Sequence, residues 1–444
     1  MHNILDYGAV NNAEVNSTAA IQKAVDACNE EGGGVVYVPY GTYMVASIHL
    51  YSHIHFIFEP GATFLGSLDP DDFDQREPVD YPLYQDFSHS FFHRSMFWAE
   101  DCEDISFCGN ATIDLREVWE KPGAVNEELW RCARANKIFA LKNCKMVVIS
   151  DLKLYNSTDL AVYLAGCENV RITGLTMWVN IDGISPDCCK NVVISDCHVG
   201  AGDDAIVPKS SYTLNEKRIC ENITITNCTV SSRMCAIKFG TETNGGFKNI
   251  TVSNCTIYDT CYTGLALEIA DGGEMDGVVC SNITMKNVGT PFIIMLTDRR
   301  RAPEGAEEGT IKNVILENII AIGPYGYIKP IRYTGQLTID EVRKEPRIMP
   351  SSVTGLPNSK LENILLSNIY LTLPGGSTQK SEEIIPKEPI KATPASGIYG
   401  MLPSSGIFFR HVNGIKLNNI NVSTLEPDAR EALIFDDVEN LTVQ

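Results

Sequence analysis

Four aspartates in the middle of the 444-residue chain have the spacing that acid–base chemistry requires. Asp182 lies in Asn180-Ile181-Asp182-Gly183, and Asp203 and Asp204 end Gly200-Ala201-Gly202-Asp203-Asp204. Counted from the starts of a recurring phrase, Asp159, Asp182 and Asp204 each fall 13 residues in, with Asp203 at 12. If that phrase forms stacked coils, these carboxylates make one strip with no cation at the same phase. Like charges so close raise one another's pKa, so one acid stays protonated near neutral pH while another is ionised. Acid–base hydrolysis of a glycosidic bond needs that division. A Ca²⁺ site and an inert acidic edge compete on spacing alone, although the glycines beside both clusters suggest tight turns that aim the acids.

The phrase that positions them is nine residues long, roughly Asn-apolar-x-apolar-polar-Asn/Asp-x-x-apolar. It runs as Met146–Leu154, Asn169–Met177, Asn191–Val199, Asn222–Val230, Asn249–Ile257, Gly277–Met285, Asn313–Ala321, Asn363–Leu371 and Gly414–Val422. Starts are separated by 23, 22, 31, 27, 28, 36, 50 and 51 residues. The alternation and the Val, Ile and Thr content predict strands, interrupted by asparagine turns. One such unit cannot bury its apolar face alone, but stacked units can. The expected fold is all-β, a single-domain right-handed parallel β-helix over residues 1–444, with coils about 4.8 Å apart. Residues 1–45 should hold an N-terminal cap and the first strands. The cap is a helix between Ser17 and Glu31, with Ala20, Ile21, Ala24, Val25 and Cys28 on one face. Residues 374–405 are rich in Pro, Gly, Ser and Lys and read as a long surface loop.

Composition narrows the function. With 36 Lys+Arg against 56 Asp+Glu the net charge is −20, which disfavours nucleic acid, anionic membranes and long polyanions as partners. No run of 18 apolar residues occurs. The first residues lack a basic start and an apolar secretory core, so a cytoplasmic location is expected. The 15 cysteines form no CxxC pair or zinc spacing and recur after Asn or Asp, as at Asn143-Cys144 and Asn227-Cys228. They read as reduced apolar wedges, and neither a metal nor a cofactor is expected. No feature of the sequence sets an oligomeric state.

Asn180-Ile181-Asp182-Gly183 followed by Gly202-Asp203-Asp204 resembles the polygalacturonase family, glycoside hydrolase family twenty-eight, whose usual motifs are Asn-Thr-Asp-Gly and Gly-Asp-Asp. Asp6–Val10, Gly32–Tyr43, Asn156-Ser157, Asp204–Lys209 and Gly240-Thr241-Glu242 are similar to it as well, so the resemblance spans roughly residues 3 to 290. It implies a β-helix and inverting, metal-free hydrolysis of α-linked pectin-type oligosaccharides. Asp203 would be the general acid, with Asp182 and Asp204 holding and deprotonating the attacking water. Inversion asks for about 6.5–9.5 Å between acid and base groups.

The departures concern sugar recognition. Where the family places a Gly-His-Gly segment, this chain has Ser232-Arg233-Met234-Cys235-Ala236-Ile237-Lys238, and no histidine lies between His198 and His411. The expected Trp and His after Asn156-Ser157 are Leu160 and Tyr163. The family's Arg-x-Lys, which grips the galacturonate carboxylate, is replaced by Ala266-Leu267-Glu268. At about 4 Å and an effective dielectric of about 20, that reversal of sign is on the order of 4 kcal/mol of repulsion. The substrate-contacting set expected is Asn180, Lys209, Arg233, Glu242, Tyr262 and Glu268, reading a neutral or differently charged sugar. The Arg299-Arg300-Arg301 run reads as a solvated loop, because Asp298 and Glu304 flank it. Insertions after Gly323 and around Pro374 would close one end of the cleft and favour exo action. A catalytically silent carbohydrate-binding β-helix and a Ca²⁺-dependent polysaccharide lyase are the alternatives.

Overall fold

A computed structural model describes residues 1–116, 136–323, 325–326 and 348–444 of the protein. Most of the expected insertion after Gly323 therefore lies outside the described residues. Among the described residues the strands pair in parallel, each with its counterpart one coil away. One column of side chains runs Ile105, Val147, Val170, Val192, Ile223, Ile250, Val278, Val314, Ile364, Ile415 and Leu441. All of it except Leu441 is buried. The repeated apolar position of the phrase has thus become a continuous core, which is the reason for stacking.

Asparagines turn the chain at the first and sixth places of the phrase. Asn169, Asn191, Asn222 and Asn249 adopt positive φ, as do Asn254, Asn282, Asn318 and Asn368. Asparagine tolerates this left-handed region better than most residues. Their amides also join the coils: Asn191 Nδ2 donates to Asn169 Oδ1 at 3.0 Å, and Asn222 to Asn191 at 2.8 Å. Cys144, Cys167, Cys189 and Cys220 fill matching buried places in successive coils, and no disulfide joins described cysteines.

A helix spans Thr18–Glu30 and buries Ile21, Ala24, Val25 and Cys28 against the first strands, Gly34–Val38 and Ile54–Phe58. No helix among the described residues is long and apolar enough to cross a membrane. The 374–405 segment differs from expectation in two respects. The strand Leu361–Gly375 runs past Pro374, and the part from Ser396 to Leu402 buries Ser396, Tyr399 and Leu402 instead of lying free on the surface. Tyr399 anchors it, its hydroxyl 2.8 Å from Thr354 Oγ1.

Candidate active site

The three acids occupy the turns that enter a second stack of short strands. Asp182 lies between Thr176–Val179 and Ile184–Asp187, and Asp203-Asp204 follow His198–Ala201. Ile184 bridges Ile206, so Asp182 and Asp204 hold equivalent places one coil apart. The backbone enforces this: Gly183 N donates to Asp204 O at 3.0 Å, and Asp204 N to Asp182 Oδ1 at 3.2 Å. Cys235 N continues the chain of donors to Asp204 Oδ1 at 3.1 Å.

The neighbouring glycines serve close approach between coils. A Cβ on Gly202 would lie 2.1 Å from Asn180 O, and one on Gly183 would lie 2.4 Å from Ala205 O. Neither residue has the positive φ that a glycine-specific turn would show.

Asp159 is one place out of register. Leu154 pairs Met177 but Val162 pairs Ile184, so the earlier turn is one residue longer, and Leu160 takes the place opposite Asp182. A similar slip in the coil of Asn249–Ile257 sets Thr263 opposite Cys235, one place beyond the equal-phase residue Tyr262. Asp159 still faces the cleft, bound to Lys137 Nζ at 2.8 Å. Burial would push its carboxyl up, but Lys137 outweighs burial and holds it below the ordinary range.

Cations reach the strip from other phases. Lys209 Nζ lies 3.4 Å from Asp182 and 3.6 Å from Glu242, and Lys238 Nζ lies 2.9 Å from Asp204. Counting positions within a coil misses them because a lysine's long stem reaches across to the next coil. The arginine run is likewise no solvated loop. The Arg299 side chain is 8% exposed and bonds Asp271 through Nε at 3.0 Å and Nη2 at 2.5 Å, while Arg301 meets Asp86 at 2.7 Å and Glu242 at 3.7 Å. Only Arg300 points to solvent, beside Asp298.

These charges sort the acids. Asp182 is 4% exposed, and burial raises its pKa against the opposing pull of Lys209, with Asp204 raising it further. Asp203 is partly open to the cleft, and burial together with Asp204 and Asp182 pushes it up to about 8. Glu268 is 1% exposed and is pushed up to about 7 by burial, with Lys238 opposing and Asp204 adding to the rise. Glu242 goes the other way: burial would raise it, but Lys209, His89 and Arg299 hold it far below the usual carboxylate range.

Asp182, Asp203 and Asp204 each offer an oxygen within 4.8 Å of the others. A metal ion could use three such ligands, but it would displace or compete with the ammonium groups already paired to Asp182 and Asp204. Their nearest oxygens are this close because two of the acids are sequence neighbours and the third is stacked directly on them.

The cleft measures about 420 Å³ and is lined by all three acids with Lys209, Lys238, Glu242, Tyr262 and Glu268. Its walls are two segments outside the phased repeat, around Arg76 and Asp86–His89 and around Thr393–Ser396. Of the expected contacts, Asn180 and Arg233 do not line it. Asn180 backs Gly202, and Arg233 is buried with its N–H on Ala201 O. Sequence reasoning missed His89, Arg76 and the Thr393–Ser396 wall, which carry no repeat signal. At the Arg-x-Lys position, Ala266 is buried in an apolar cluster, and Lys238 pairs with it from the preceding coil. The expected reversal of sign at Glu268 is therefore partly compensated by a lysine one rung away.

The family model described as glycosyl hydrolases family 28 matches residues 84–322, and one described as rhamnogalacturonase A/epimerase, pectate lyase-like, matches residues 1–79. A probable polygalacturonase of Vitis vinifera is 26% identical over 313 residues, covering 65% of this chain and 61% of that protein. The chain thus spans about three fifths of that relative's length. An exopolygalacturonase structure from Yersinia enterocolitica superposes with a TM-score of 0.70 at 19% identity, over 99% of this chain and 77% of that one. A hyperthermoactive exopolygalacturonase from Thermotoga maritima gives 0.68 at 20%, over 83% and 86%.

Proposed function

The chain belongs to glycosyl hydrolases family 28, and from that premise we propose that it is a glycosidase that cleaves α-linked pectin-type oligosaccharides from a chain end. The observation that carries this reading is the stacked triad, in which burial and two neighbouring acids push Asp203 up to about 8 while those two acids face lysines. Asp203 gives its proton to the glycosidic oxygen as the bond to the anomeric carbon breaks. Water attacks that carbon, and its proton passes to Asp182 or Asp204. The general acid is left as a carboxylate and is restored from solvent. Inversion follows from a water attacking opposite the leaving group.

The walls at Asp86–His89 and Thr393–Ser396 support exo action, because they narrow a groove into a pocket of small-ligand size. Lys209, Lys238, Arg299 and Arg301 each already face an acid, which supports recognition of a neutral sugar, with Glu268 accepting from or donating to its hydroxyls. Our reading of the whole is one right-handed solenoid domain covered at its start by the Thr18–Glu30 helix and working in the cytoplasm with reduced thiols. Glu268 in place of the carboxylate-gripping pair favours a binding protein without turnover as the rival.

The deciding experiment is a screen of reducing-end-labelled pectic and hemicellulosic oligosaccharides, with product anomers read by NMR. Single-sugar release with inverted configuration is expected. Retained configuration would replace the water mechanism by a covalent one. Binding of an oligosaccharide without cleavage would sink the hydrolase reading.

A further inference from the structure

His89 belongs to no coil. It ends the short 3-10 turn Phe87–His89 and lines the same cleft as the three acids. Its main chain is pinned on both sides. The carbonyl accepts from Tyr163 Oη at 2.8 Å and from Thr213 Oγ1, and its N–H donates to Asp86 O at 3.0 Å. The ring stands edge-on to Tyr163, with centroids 5.8 Å apart.

The imidazole is only 5% exposed, yet neither Nδ1 nor Nε2 has a hydrogen-bond partner. Buried polar atoms are nearly always satisfied, so two on one ring call for a physical reason. Packing alone is not one, since a phenylalanine would fill the place beside Tyr163 without unmet nitrogens.

We propose that His89 is a substrate-contacting residue whose imidazole hydrogen-bonds an oxygen of the sugar held beside Asp182. A neutral imidazole offers one donor and one acceptor, and a sugar hydroxyl can match either. The inference rests on the sugar-cleft reading of this site and names a contact supplied from outside the repeat.

Two variants of the full chain, His89→Phe and His89→Gln, test it together with NMR of the histidine ring nitrogens. The NMR uses the Asp203→Asn background, with galacturonic acid and galactose as separate probes. The His89 signals are identified by their loss in His89→Gln. One of the sugars should move those signals. His89→Phe should lower kcat/KM by about 10- to 100-fold with the melting temperature unchanged or raised, and His89→Gln should recover part of the loss. Wild-type kcat/KM in His89→Phe, or His89 signals that neither sugar moves, would overturn the proposal. If His89→Phe does not fold, the titration of the unsubstituted ring decides alone. If the native chain cleaves nothing in the screen, the hydrolase reading fails while sugar-induced shifts at His89 still establish the contact.

Discussion

Removing Lys209 should move the acid limb of the pH–rate profile. Its ammonium lies 3.4 Å from Asp182, and both side chains are almost fully buried, so solvent screening is slight. At that distance and an effective dielectric of about 20, Coulomb's law gives about 5 kcal/mol, and breaking such a buried pair typically costs about 3–5 kcal/mol. Without that ammonium, Asp182 in Lys209→Met should hold its proton to a higher pH than in the native chain. The sign follows from the partners: burial already raises Asp182, and Lys209 is the largest group opposing it. Asp182 must be ionised to take a proton from water, so kcat/KM should be lost at acidic pH and recover as pH rises. The same change lowers stability at neutral pH. The pKa of Lys209 is raised in the fold, so its contribution is fully present below the ordinary lysine value and is lost only above the raised one. Glu242 keeps Arg299 at 3.9 Å and Arg301 at 3.7 Å, which limits collateral damage. The assay is kcat/KM against pH for the native chain and Lys209→Met, with circular dichroism and thermal unfolding as controls. A folded variant whose acid limb has not moved would refute the role given to Asp182.

Three further outcomes are expected. Asp203→Asn should cut turnover by about 10²- to 10⁴-fold with the fold intact, and in the native chain activity should fall as pH rises through about 8, where Asp203 loses its proton. Full activity in that variant would remove Asp203 from the mechanism. Glu268→Lys should improve any trace cleavage of galacturonate oligomers, measured as reducing-end release; no gain in a folded protein would mean that this position does not set the charge preference. Gly202→Ala should lower stability by about 1–3 kcal/mol in chemical unfolding, because its Cβ would collide with the carbonyl of Asn180, and an unchanged midpoint would contradict the close approach of the two coils.

Most of the scaffold was legible because its signal is periodic. Val170, Val192 and Ile223 repeat one apolar place, Asn169, Asn191 and Asn222 repeat one turn, and stacking follows from both. The acids at 182 and 204 were legible for the same reason. Register failed where a turn gained one residue, before Val162 and before Thr263, since phase counting assumes coils of equal length. Electrostatic partners were less visible. Lys209, Lys238 and Arg299 act through flexible side chains that cross between coils, and their positions in the phrase do not reveal it. The walls were least visible, because His89 and Ser396 come from segments with no repeat against which a phase could be counted.

The Gly183–Asp204 backbone hydrogen bond makes the distance between reactive groups resemble a lattice constant. It is set by the same repeat that holds every other coil, so it can change little with temperature, ligand or drift of the surrounding sequence. Fitting of the protein to a new sugar then falls to side chains that project from the lattice, such as Glu268, and to the flanks bearing Arg76–His89 and Thr393–Ser396. In this architecture the reaction is inherited from the crystal-like interior, and the diet is chosen by its edges.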